Sequence, residues 1–107
     1  MTNETTQPTS GTTHILVLGR HQYLLENVQK ILHSAGYESS GFLEREEAEE
    51  FLRMNHVDVL LVGGGVEPHE RQGLIAFVRT EFPAIKVVEH FGGPATILPE
   101  IKSILAR

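Results

Sequence analysis

Val57-Asp58-Val59-Leu60-Leu61-Val62, closed by Gly63-Gly64-Gly65, is the stretch on which the fold of this chain turns. Every residue before the glycines except Asp58 is Val or Leu, so no polar face is left for solvent, as in a strand buried on both sides. Strands of that kind belong to parallel sheets, and parallel neighbours need a crossover between them, usually a helix. The flanking sequence supplies such helices. Upstream, Glu44 to Met54 carries acids in its first turn, where the helix dipole favours them, and offers Ala48, Phe51 and Leu52 as one apolar face before Asn55. Downstream, Leu74, Ile75, Val78 and Phe82 recur at helical spacing until Pro83 stops the helix.

Further out the alternation repeats. Ile15 to Leu18 is a second apolar run, ended by Gly19, and Leu24, Leu25, Val28, Ile31, Leu32 and Ala35 then form one stripe of an amphipathic helix. Gly36 sits where a helix end needs positive φ, and Tyr37 to Phe42 reads as a weaker, more polar strand suited to a sheet edge. Ile85 to Val88 opens a fourth strand. Pro99 then suits the first position of a terminal helix, with Ile101, Ile104 and Leu105 as its apolar face. The order βαβαβαβα, with right-handed crossovers, implies a three-layer, doubly wound parallel sheet with helices on both faces. Ligands of such sheets gather where the carboxyl ends of the strands meet their loops.

Composition sets the outer limits. The chain has 107 residues, 40% of them hydrophobic, enough for one domain over residues 14–107. Residues 1–13, rich in Thr with Asn, Gln, Pro, Ser and Gly, are expected to form a disordered tail. A formal net charge of -5 argues against nucleic acid, and against an acidic protein, as the main partner. The absence of cysteine excludes disulfides, thiolate nucleophiles and cysteine-ligated metal. With no apolar run of bilayer length and no basic, apolar leader, a soluble cytoplasmic protein is expected, without a membrane partner.

Four stretches resemble the receiver domain of bacterial two-component response regulators: His14-Ile-Leu-Val-Leu18, Ile31-Leu-His-Ser-Ala-Gly-Tyr37, Val57-Asp-Val-Leu-Leu-Val62, and Gly73-Leu-Ile-Ala-Phe-Val-Arg79 through Phe82-Pro-Ala-Ile-Lys-Val-Val88. The resemblance implies a flavodoxin-like sheet with strand order 2-1-3-4. It also implies an aspartate phosphorylated with the help of Mg²⁺, which a cluster of acids at the strand ends would hold. The family's positions fall on residues without that chemistry. The two acids after the first strand correspond to Gly19 and Arg20, and the phospho-acceptor to Gly63. The switch Ser/Thr falls at or near Phe91, and the Lys of the Lys-Pro pair at Gly93. Only Glu89 to Leu98 separate the fourth strand from the last helix, too few for the helix-strand unit a receiver carries there. A missing unit would leave the fourth strand as an open edge, capped by the Phe91 to Pro94 turn, by a second copy or by a partner.

The leading expectation is therefore a pseudo-receiver: no enzyme and no cofactor, but a signalling module that binds a protein, or itself as a homodimer, without phosphorylation. Val88, His90, Phe91, Ile97, Leu98 and Ile101 are the expected contact residues, as apolar groups left uncovered by the missing unit. A second expectation is a metal or small-ligand site built from the strand-end histidines His21, His69 and His90, with Glu67, Glu70 or Glu89 as a carboxylate ligand. The plain alternative is that these are ordinary loop histidines. A third is a residual receiver that takes phosphate elsewhere. Gly63-Gly64-Gly65 follows a strand, as phosphate-binding loops do, but lacks GxGxxG spacing and a P-loop Lys. Glu44, Glu46, Glu47, Glu49 and Glu50 read as a solvated helix face or a docking face for a basic partner. No Ser lies on a strand-end loop as a nucleophile.

Overall fold

The structure is a computed structural model that describes residues 12–107. The expected tail lies almost entirely outside the described residues. Among the described residues, four strands alternate with four helices: β1 (His14–Leu18), α1 (Gln22–Ser34), β2 (Glu38–Phe42), α2 (Arg45–Met54), β3 (Val59–Gly63), α3 (Pro68–Glu81), β4 (Lys86–His90) and α4 (Ile97–Leu105), with a 3-10 turn at Pro94–Thr96 leading into the last. The sheet is parallel throughout, in the order β2-β1-β3-β4. Ile15 pairs with Val59 and Leu18 with Val62 across its centre, and Gly63 pairs with His90 at its carboxyl edge.

Strand periodicity divides the core into two layers. Leu16, Leu18, Leu60 and Val62 point to the side covered by α2 and α3, where they meet Leu52, Leu74 and Val78. Ile15, Val17, Val59 and Leu61 point to the other side, where α1 and α4 supply Leu25, Leu32, Ile97 and Ile101. The unbroken apolar runs of β1 and β3 are thus explained, since both faces of each strand are buried. The edge strand β2 carries Glu38-Ser39-Ser40-Gly41-Phe42 and is no more than half-buried. Helix α1 ends as its sequence requires. Gly36 takes φ of 91°, its N–H donates to the His33 carbonyl at 3.0 Å, and that of Tyr37 donates to the Leu32 carbonyl at 3.1 Å.

Several expectations need correction. Leu24, counted in the buried stripe of α1, is 53% exposed, because the stripe is wider at this end than the layer beneath it. Helix α4 starts two residues before Pro99, and the proline is tolerated in the first turn because N–H groups there have no intrahelical acceptor. Of the apolar residues expected to be uncovered beside β4, Phe91 is exposed and the others are not. Val88, Ile97 and Ile101 are 9%, 1% and 0% exposed, and Leu98 is half-buried. With only the 3-10 turn between them, α4 folds back from β4 onto the sheet beside α1, and its isoleucines fill that layer.

Among the described residues, what does remain open is the outer edge of β4. The Lys86 N–H donates to the Asp58 carbonyl at 3.1 Å, so alternation along the strand turns the backbone groups of Val87 and Glu89 away from β3. No described helix is long and apolar enough to cross a membrane.

At the amino end of the sheet, Asp58 ties three segments together. Its carboxylate accepts the His14 N–H at 2.9 Å and lies 2.9 Å from Nε2 of His56. The Asp58 N–H donates in turn to the His14 carbonyl. Burial raises the carboxyl's pKa, but the His14 N–H and the two histidines outweigh it and hold the group below its ordinary value. His14 also places Nε2 2.8 Å from the Ser40 hydroxyl, linking β1 to β2.

Candidate functional site

The carboxyl ends of β1, β3 and β4 open into a cavity of about 300 Å³ between the start of α1, the β3–α3 loop and the β4–α4 turn. Gly19, Arg20, Gly63 and Phe91 all line it, so four of the five positions singled out in the sequence are brought together. Gly93 stands just outside, capping the 3-10 turn. The floor is core: Leu18, Leu25, Leu61 and Ile97 are each less than 5% exposed. At the mouth, Phe91 is 67% exposed.

Two arginines pin the glycine loop by its carbonyls. Nη1 of Arg20 reaches the Gly65 carbonyl at 3.4 Å, a long contact. Nη2 of Arg71 donates to the carbonyls of Val66 at 2.7 Å and Gly64 at 3.2 Å. The Arg71 guanidinium also lies 5.2 Å from the centre of the Phe91 ring, a cation–π contact. Its Nε is buried without a hydrogen-bond partner among the described residues. Gly64 has a steric reason to be glycine, since a Cβ there would stand 3.0 Å from the His90 carbonyl oxygen and 3.2 Å from the Phe91 Cα. Gly65 has none, as its Cβ would meet only the Arg20 Cβ, at 3.6 Å.

On the other side of Arg20 lies a second cavity of about 350 Å³ with a different lining: Glu44, Glu46, Glu67 and Glu70 surround Arg20 and Arg45. Arg45 bonds Glu70 through Nε at 3.1 Å and approaches Glu49 at 3.7 Å. The Glu67 carboxylate caps α3 by accepting the Glu70 N–H at 3.1 Å. The acidic stretch of α2 is thus partly engaged with its own cations.

The three strand-end histidines do not converge. His90 is 8% exposed, and its Nδ1 sits 2.7 Å from Oε1 of Glu100 on α4. That places His90 in the core layer, not on a contact surface as expected. His21 is the residue before α1 and lines the first cavity with His90, whereas His69 is exposed on the first turn of α3 and lines neither cavity. Among the described residues no three His, Asp or Glu side chains are grouped so as to hold a metal ion, which removes the expected set of His21, His69 and His90 with Glu67, Glu70 or Glu89. Sequence reasoning missed Arg71. The signal was a cation one turn into the helix that follows a loop with too few donors for its own carbonyls.

Solved structures share this fold. A signal receiver domain of an HD domain-containing protein from Pseudomonas fluorescens Pf-5 superposes with a TM-score of 0.79 at 13% identity, over 89% of this chain and 95% of its own. A CheY-like response regulator receiver domain protein from Methanospirillum hungatei JF-1 gives 0.80 at 16% identity, over 89% and 94%. A response regulator from Thermotoga maritima gives 0.67 at 26% identity, over 86% and 78%. The chain has the receiver fold. No protein-family model matches it, and no curated protein does. The strand order expected from the resemblance is the one observed. In this receiver fold the strand-end cavity is lined by glycine, arginine, histidine, Asn27 and apolar side chains, with no carboxylate among the described residues that line it.

Proposed function

We propose that this chain is a pseudo-receiver: a cytoplasmic signalling module that binds a protein partner without aspartyl phosphorylation and is not an enzyme. One observation carries the reading. The last residue of β3, the place the receiver resemblance gives to the phospho-acceptor, is Gly63, and the loop after β1 presents Gly19 and Arg20 in place of acids. Phosphoryl transfer to an aspartate needs an acceptor and a metal to neutralise the transferred oxygens. The cavity supplies neither a carboxylate acceptor nor carboxylate ligands, and it holds a guanidinium.

The partner contact falls on the outer edge of β4, where the Val87 and Glu89 backbone groups face away from the sheet and Phe91 stands exposed at the end. A strand or a second copy of the chain adding to this edge would gain main-chain hydrogen bonds, with nucleic acid playing no part. The direct turn from β4 into α4 accounts for that edge as the loss of one helix-strand unit.

The test is incubation of the full chain with acetyl phosphate and Mg²⁺, read by intact mass. No gain of phosphate is expected; a stoichiometric gain lost on base treatment would overturn the reading. Light scattering across a dilution series then separates self-pairing through β4, seen as a dimer, from a different partner.

A further inference from the structure

We infer that the cavity between α1, the β3–α3 loop and the β4–α4 turn binds a small organic carboxylate carried on an apolar body. The inference goes beyond the loss of phosphorylation and does not depend on it.

Charge points to an anion. Acids outnumber Lys and Arg by 14 to 9 in the chain, yet Asp and Glu are absent from this lining, whose ionisable side chains are Arg20, His21 and His90. The neighbouring cavity beyond Arg20, with four glutamates, shows that the same end of the sheet is not depleted of acid generally. Helix α1 opens on the first cavity with no side-chain cap and no acid in its first turn, so its amino-terminal N–H groups and dipole add to the positive field.

Apolar surface points to the ligand's body. Leu18, Leu25, Leu61 and Ile97 form a floor that water cannot hydrogen-bond, and Leu24 and Phe91, 53% and 67% exposed, extend the apolar surface to the mouth. The volume is at the lower end of what small-molecule sites use, and a few polar groups around an apolar floor is their usual make-up. His90 gives the site a rigid polar wall. It is more than nine-tenths buried, and Glu100 holds Nδ1, which fixes the ring and leaves Nε2 as its remaining polar atom.

The experiment is a ¹H–¹⁵N chemical-shift titration of the full chain at constant ionic strength with 3-phenylpropionate and hexanoate, each compared with its alcohol and its ammonium analogue. At least one acid is expected to bind about tenfold more tightly than its alcohol, with the ammonium weakest and the shifts concentrated at residues 19–25, 63–65 and 90–92. Arg20→Gln is expected to lower the acid's affinity about tenfold towards the alcohol's while leaving the alcohol unchanged. Leu24→Glu places a carboxylate at the mouth from an exposed position, which the fold tolerates, and removes the preference for the acid. Equal affinity for acid, alcohol and ammonium, saturable shifts elsewhere on the molecule, or no saturable shift with either acid would each overturn the inference.

Discussion

The two ends of the sheet handle charge in opposite ways. At the amino end the Asp58 carboxylate is enclosed by donors: the His14 N–H and the His56 ring. At the carboxyl end the cavity between the strands has no carboxylate, and two arginines hold the carbonyls of a glycine loop. An acid stands where it organises backbone, and none lines the cavity at the strand ends among the described residues. The first end is therefore the place to test stability and the second the place to test the proposed binding.

Breaking the amino end gives the largest effect on stability. Asp58→Ala removes a charged acceptor from a half-buried backbone N–H and is expected to cost about 1.5 kcal/mol in urea or guanidinium unfolding. Asp58→Asn, which keeps an acceptor, should cost less. The same group predicts a pH dependence. Because its folded-state pKa is depressed, its contribution is fully present above the unfolded value of about 3.9 and is lost as pH falls through the folded value. In Asp58→Asn that part of the acid loss disappears. An Asn variant with the wild-type slope below pH 4 would mean that other carboxylates account for acid sensitivity.

At the carboxyl end a smaller loss separates adjacent glycines. Gly64→Ala is expected to cost about 1 kcal/mol, because the added Cβ meets backbone atoms of His90 and Phe91 that cannot step aside. Gly65→Ala, with only ordinary contact to Arg20, should be close to neutral by the same measurement. Equal costs at both positions would show that loop flexibility, and not the close approach of β4, selects glycine there.

These residues also show what sequence can and cannot reveal. The runs at Ile15 to Leu18 and Val57 to Val62 disclosed buried parallel strands because burial on both faces leaves no other reading, and Gly36 disclosed the end of α1 because its φ is open to few residues. The site was half legible. The resemblance brought Gly19, Arg20, Gly63 and Phe91 to one place, since strand ends converge whatever side chains they carry. It failed for Val88, Ile97 and Ile101, because whether a helix folds back over a strand depends on three-dimensional packing that periodicity does not encode. It also passed over Asp58 as a mere break in a strand. Its partner His56 is a sequence neighbour, but His14 is adjacent only once β1 and β3 are paired.

Arg20 gives the smallest stability effect and the sharpest division between the two ends. Its side chain is exposed and its hydrogen bond to the Gly65 carbonyl is 3.4 Å long, whereas Arg71 makes two hydrogen bonds to the same loop and packs on Phe91. Arg20→Gln is therefore expected to change unfolding free energy by less than about 0.5 kcal/mol, and Arg71→Gln by clearly more. A guanidinium that contributes so little to folding, yet lies between an acid-free cavity and an acid-rich one, is available to a ligand. If Arg20→Gln instead destabilises the chain as much as Arg71→Gln does, Arg20 is a clamp on the loop. The carboxyl end would then be governed by the same structural demands as the amino end.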